Sequence, residues 1–225
     1  VEFIASIIYC RFIDKKLKLR IKDVFALERS YIADFMKSGV PLLLSNVSWG
    51  VAMSFQAAIL GRLGASGIAA SSIAQTLFQC TSVVAYATGD AARVMTGMAV
   101  GEGDMKKVKS GAKTMQLMFL IIGVLTSLVL FLVRKPIISV YNASVETAEL
   151  ANIFVLILCV TAIGTAHEMP CLTGIVSGGG DTIFVFFNDI VFMWCIVLPL
   201  SALSAFYFKF PPAVTFALLK ADQIL

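Results

Sequence analysis

Between Leu150 and Gly178 the chain carries a single acid, Glu168, next to its only histidine, His167, in an otherwise apolar run. At about 1.5 Å per helical residue, such a run is long enough to cross the ~30 Å hydrocarbon core of a bilayer. About ten residues, or roughly 15 Å, separate Glu168 from the glycine-rich end, which puts its carboxyl near the midplane. An ionisable side chain there costs about 2.5 kcal/mol or more on insertion scales and points by default to an ion or substrate path. Pro170 cannot donate to the carbonyl of Ala166, so the helix is loosened beside the acid. The competing reading is a glutamate satisfied by a polar neighbour with no transport role.

The rest of the chain has the same solvent. Hydrophobic residues make up 59% and charged residues 14%, and the mean hydropathy is +0.90, too apolar for a soluble domain. The expected fold class is an all-α polytopic membrane protein, a helical bundle whose partner is the lipid bilayer. The net charge of +4 does not indicate a nucleic-acid partner, because the basic residues sit in short segments between apolar runs and form no single basic face. Cysteines 10, 80, 159, 171 and 195 contain no CxxC pair, and four lie in apolar runs, which argues for packing over a metal site or disulfide framework. With Val1 in place of an initiator Met and an apolar segment cut short at its start, the sequence reads as a fragment.

Taken in order, residues 1–13 look like the end of a truncated transmembrane helix, and 14–38 like a basic amphipathic segment with helical spacing from Asp23 onward. That segment is a helix in the membrane interface or a solvated connector. Five spans are expected at about 41–63, 69–100, 115–133, 150–177 and 183–207. Pro41 would stand in the first turn of the first of them. Residues 208–225 read as a loop or interfacial piece leading to a missing final helix. Asn46, Ser48, Trp49 and Gln56 give the first span its polarity. Gln75 and Gln79 share a face of the second and could offer amides to a cavity or to a neighbouring helix. Asp90 and Arg93 are spaced for an ion pair. Asp189 lies roughly 9 Å into the fifth span. His167, about 100° around the helix from Glu168, is expected to bond a neighbouring helix. If the loop after residue 13 is cytoplasmic, 13 of the 18 lysines and arginines fall on that side, leaving Arg62, Arg134, Lys135, Lys209 and Lys220 opposite.

Enzymatic motifs do not hold up. Gly101-Glu102-Gly103-Asp104 matches GxGD of intramembrane aspartyl proteases, but no partner Tyr-Asp motif supplies the second carboxylate of a shared-proton dyad. There is no GxxxxGK[ST] loop for ATP and one histidine cannot build a His-rich metal site, so no enzyme, metal or cofactor is expected. Asn142-Ala143-Ser144 matches a glycosylation sequon, a pattern common by chance.

Gly39-Val40-Pro41, Gly61-Arg62-Leu63-Gly64 through Ile68-Ala69-Ala70 and Ile73-Ala74, and Val100 to Asp104 occur in an order that resembles the second half of a multidrug and toxic compound extrusion (MATE) transporter. Gly174-Ile175, Gly178 to Thr182, Asp189-Ile190 with Trp194, Pro199-Leu200 and Leu219 to Ile224 resemble that family at corresponding spacings. The resemblance covers the chain from about residue 15, and its specificity lies in order and spacing rather than in any one motif.

It implies a two-lobe, twelve-helix antiporter in a cell membrane, a bacterial inner membrane, exporting small organic cations against protons or sodium ions and needing no cofactor. This chain would hold the end of the sixth helix, a cytoplasmic interlobe loop at 14–38 and helices seven to eleven. Its partner would be the missing amino-terminal lobe. Members with an acid in the seventh helix pair it with one in the tenth. Here the seventh has Gln56 instead, Glu168 stands near the tenth-helix acid, and Val176-Ser177-Gly178 lacks the usual arginine. Candidate substrate- or ion-binding residues are Glu168, Gln56, Gln79, Asn46, Asp189 and His167, with Glu168 alternating between a proton and a cationic substrate. The alternatives are a lipid-linked oligosaccharide flippase of the same superfamily, disfavoured because no mid-span position is Lys or Arg, and a non-transport membrane scaffold.

Overall fold

The computed structural model describes residues 29–223, and among them every regular element is helical. The readings of 1–13 and of 14–28 fall outside the described residues. The chain divides into two compact units, Val1–Val40 and Pro41–Leu225. In the first, the described residues open helix α1, Arg29–Gly61, and leave Ile32, Phe35 and Met36 exposed. Pro41 is therefore inside the helix and not in its first turn. One ladder bond, to the carbonyl of Lys37, is forfeited there, and the boundary between the units falls at that residue.

The second unit adds α2, Gly64–Gly101; α3, Met105–Val140; α4, Val145–Val176; and α5, Thr182–Tyr207. It closes with α6, Pro212–Leu219, and a single tight turn at Ala221–Gln223. Four of these helices are long and apolar enough to cross a membrane, and a fifth if α2 counts as one span bent by 43° between Gly64–Cys80 and Ser82–Gly101. Next to that bend the Ser82 hydroxyl donates to the carbonyl of Gln79 at 3.1 Å, and such back-bonding serines bend helices. The segment read as a loop toward a missing helix holds α6 instead. Pro211 and Pro212 start it, where an absent N–H does no harm, and Phe216 and Leu219 are buried.

Turn chemistry fixes the helix ends. Gly103 and Gly180 take φ of +73° and +97°, and the aspartate after each caps the next helix. Asp104 accepts from the backbone N–H of Lys106 and Lys107 at 3.1 and 3.0 Å, and Asp181 from that of Phe184 at 3.1 Å. The GxGD fragment is thus a cap. The sequon also has a structural job, with Asn142 turning at φ 45° and the Ser144 Oγ capping α4. Helix α3 outlasts its apolar stretch and passes through Pro136. Arg134, where a stop was expected, sits 3.7 Å over the Phe131 ring and donates from Nη1 to the Phe131 carbonyl and from Nε to Asn152.

Glycines bring the helices together. A Cβ built on Gly174 would lie 2.8 Å from the carbonyl oxygen of Gly89 and 2.9 Å from the Ala92 Cβ, and one on Gly178 would lie 2.8 Å from the Arg93 carbonyl. Helix α4 therefore rests on the backbone of α2, as small residues allow between helices in lipid. Ala92, Met115 and Phe119 cluster at that contact, and two further apolar clusters hold the rest of the unit. Phe154 stacks on Phe216 at 4.2 Å among residues of α2, α3, α4 and α6, while Ala52, Ile59, Met193 and Val197 join α1 to α5. Gly174→Ala in the full-length protein should lower stability by about 1–3 kcal/mol, read from the unfolding midpoint in detergent, whereas Gly61→Ala should be within about 0.5 kcal/mol of wild type. Nothing lies within 4 Å of a Cβ on Gly61.

Candidate functional site

The hydrogen-bond ladder of α4 changes pitch next to Glu168. From Pro170 to Val176 it widens to a π-helical turn, as the missing N–H of a proline permits, and such turns recur at functional sites. Across the turn Arg93 donates from Nε to the Thr173 carbonyl at 2.8 Å. The expected Asp90–Arg93 pair does not form, whereas Lys107 pairs with Glu102 at 2.7 Å. Geometry accounts for this, since the turn presents a carbonyl to the guanidinium while Asp90 is exposed. Glu168 is half-buried and engaged within the protein. The His167 Nε2 is 4.0 Å from the Cys171 Sγ, four residues on in the same helix, and so does not bond a neighbouring helix. The spacing of four aligns the two side chains on one face.

A second polar feature joins α1 to α5. Ser45 donates to the carboxylate of Asp189, Trp194 donates from Nε1 to the Ser48 Oγ at 2.7 Å, and Gln56 donates from Nε2 to the Met193 sulfur at 3.5 Å. Phe55 meets Trp194 edge-on at 5.8 Å. Ser45, Ser48, Ala52, Gln56 and Ile59 recur at helical spacing, which is why one face of α1 holds the seam. Beside Asp189, α5 also changes to a π-helical turn, Ile190–Val197. Asn46 lies off the seam, exposed, with its amide donating to the Leu42 carbonyl of its own helix.

The third feature is a cavity of about 480 Å³ among α1, α2 and the end of α6. Its polar lining includes Gln56, Ser71, Ser72, Gln75, Gln79 and Lys220, with Phe216 and Leu219 among the apolar residues. Of the sequence-derived candidates, then, the cavity unites Gln56 and Gln79, while Asp189 reaches Gln56 only along the seam. Asn46, His167 and Glu168 are not among the cavity's lining residues.

Two residues escaped the sequence reading. Ser45 was visible only as the first member of the Ser45-Ser48-Gln56 spacing. Lys220 was counted as an outer-loop cation, yet it is 6% exposed in the cavity wall. The Pro-Pro start and the apolar run behind it were the available signal for its helix. The four described cysteines, 80, 159, 171 and 195, are unbridged.

Comparison with known proteins adds three findings. The MatE family model matches residues 41–203. The multidrug resistance protein MdtK of Edwardsiella ictaluri is 23% identical over 176 residues, covering 78% of this chain and 38% of the relative. A probable multidrug resistance protein NorM of Xanthomonas axonopodis pv. citri is 25% identical over 171 residues, covering 76% and 37%. The chain thus spans less than two fifths of these relatives. A crystal structure of a MATE protein in complex with MaL6 superposes with a TM-score of 0.83 at 17% identity, over 98% of this chain and 50% of that one.

If the seam hydrogen bond contributes to stability, Ser45→Ala and Asp189→Ala in the full-length protein should couple by about 0.5–2 kcal/mol in a double-mutant cycle. Asn46→Ala with Asp189→Ala should be additive, and unfolding midpoints in detergent measure both.

Proposed function

Because this chain belongs to the MatE family, we propose that the whole protein is a secondary active transporter that exports drugs and organic cations in antiport with protons or sodium ions. One observation carries the reading. Asp189 sits inside an apolar span and is engaged by a serine hydroxyl, with no lysine or arginine paired to it among the described residues. A carboxylate in low dielectric needs a compensating charge, and a hydroxyl supplies none. A proton, a sodium ion or a cationic substrate does, and these exclude one another at a single carboxyl. Competition of that kind is what couples the flow of an ion to the export of a cation. Glu168, in a second span beside a π-helical turn, is the other candidate for the same role.

Several observations support this over the alternatives. The relatives are described as multidrug resistance proteins, which favours a drug substrate over a lipid-linked oligosaccharide. The location would be a cell membrane, with the basic segments 11–37 and 101–113 cytoplasmic.

The experiment is efflux of a fluorescent organic cation from proteoliposomes holding the full-length protein, under a proton gradient and then a sodium gradient. Export by wild type should follow one gradient, and Glu168→Gln or Asp189→Asn should reduce it at least about tenfold, the scale of a lost coupling interaction. Wild-type rates in both variants would remove these acids from the coupling step. No export by folded wild-type protein under either gradient would overturn the reading as a cation antiporter.

A further inference from the structure

A second cavity, of about 680 Å³, opens between α2 and α3 beside the turn that joins them. Its chemistry is divided along its length. Lys106, Lys107 and Ser110 line the mouth, and Met95, Met115, Met118, Phe119 and Ile122 line the remainder. Both walls belong to candidate membrane spans, α3 and the Ser82–Gly101 limb of α2. Met95 and Met118 are exposed along the rim, while Met115 and Phe119 are buried in the floor. From Lys106 to Ile122 the helix rises about 24 Å, close to one leaflet of a bilayer with its headgroups, ~20–22 Å. At the mouth Lys107 is already paired with Glu102 at 2.7 Å. Asp104 also lines it but spends its Oδ1 on the backbone N–H of Lys106 and Lys107. Residues 101–113 hold four lysines against those two acids, so positive charge remains in excess.

We propose that this cavity binds an anionic phospholipid, with its phosphate at Lys106 and Ser110 and an acyl chain along the methionines. The leaflet is the one that meets residues 101–113, the cytoplasmic one on the placement given above. Charge complementarity names the occupant, because the cytoplasmic leaflet carries the anionic lipids and a basic mouth between two spans attracts them. A zwitterionic lipid fills the apolar part equally well but brings its own cation to the lysines. Unbranched methionine side chains adapt to a flexible chain. The floor gives the lipid a structural consequence. Ala92, Met115 and Phe119 line the cavity and also carry Cys171 and Ile175 of the π-helical turn, so a seated lipid supports the contact of α2 with α4.

The test uses the full-length protein in detergent, with dioleoyl phosphatidylglycerol and dioleoyl phosphatidylcholine as probes and native mass spectrometry to count the lipid retained. Wild type should hold the anionic lipid at least about fivefold more tightly, the fold-change of one lysine at an anionic surface. Lys106→Gln, at an exposed position, should bring the two lipids within about twofold of each other. Lys135→Gln, the same change of charge toward the other end of α3, should leave the preference as in wild type. Gly111→Leu separates the cavity from surface charge. Gly111 lines the cavity and a Cβ there meets only the Met115 Cε, at 3.9 Å, so the new side chain enters without moving backbone. It should abolish the preference with every lysine in place. Equal retention of both lipids by wild type overturns the proposal, as does an equal effect of Lys106→Gln and Lys135→Gln, or a full preference in Gly111→Leu. Retention is read without transport, so its failure removes the lipid site alone, and absent efflux under both gradients removes the antiporter reading alone.

Discussion

The close approach of α4 to α2 is the contact on which the rest of this bundle depends. Gly174 and Gly178 lie where a single added carbon would meet the backbone of Gly89 and Arg93 at 2.8 Å. In lipid no hydrophobic effect holds two helices together, since the solvent is as apolar as the side chains, so the gain must come from dispersion and polar contacts at short range. The same approach brings the Arg93 guanidinium to the Thr173 carbonyl at 2.8 Å. It also seats Cys171 and Ile175 against Ala92, Met115 and Phe119. The π-helical turn after Pro170 is thus packed against protein at Pro170 and Gly174, and contact of that kind is what lets irregular backbone survive at membrane depth.

A second constraint appears at both glycine-aspartate turns. Each reverses the chain with a left-handed glycine, Gly103 or Gly180, and then caps the following helix with an aspartate. Neither acid is in a position to transport anything, because each is spent on backbone N–H groups of the helix it starts. Short motifs rich in glycine and aspartate can therefore mark a family through helix termini alone.

These turns show where the sequence was legible. Apolar runs announced the spans and glycine, proline and aspartate announced their ends, because both signals are local. The boundaries that moved did so for tertiary reasons. Pro136 does not end α3, which runs on to Val140 beyond Arg134 with its contacts to Phe131 and Asn152, and Pro41 does not begin α1, because the helix continues on its amino-terminal side. Among candidate residues, Glu168 stood out because a lone acid in an apolar run is conspicuous. The Ser45–Asp189 bond was hidden, since it depends on how two helices 144 residues apart in sequence are rotated toward each other. Lys220 was hidden by its neighbours, a proline pair and a lysine that reads as loop until α6 is folded against Phe154.

The polar groups sort by charge once the helices are in place. Asp189 lies on the α1–α5 seam and Glu168 on α4, while the cavity wall holds amides and Lys220. Gln56 is common to the seam and the cavity, with its Nε2 on Met193 and its side chain in the cavity wall. A change at one end therefore has a mechanical route to the other. Rotating α5 to release Asp189 from Ser45 also moves Met193, four residues along the same helix, and with it the partner of Gln56. The seam does not need a long-range field to communicate with the cavity, because one amide belongs to both. A carrier that exchanges an ion for an organic molecule needs two sites that respond to each other, and a shared glutamine between a carboxylate and an amide-lined cavity is a physical link of that kind.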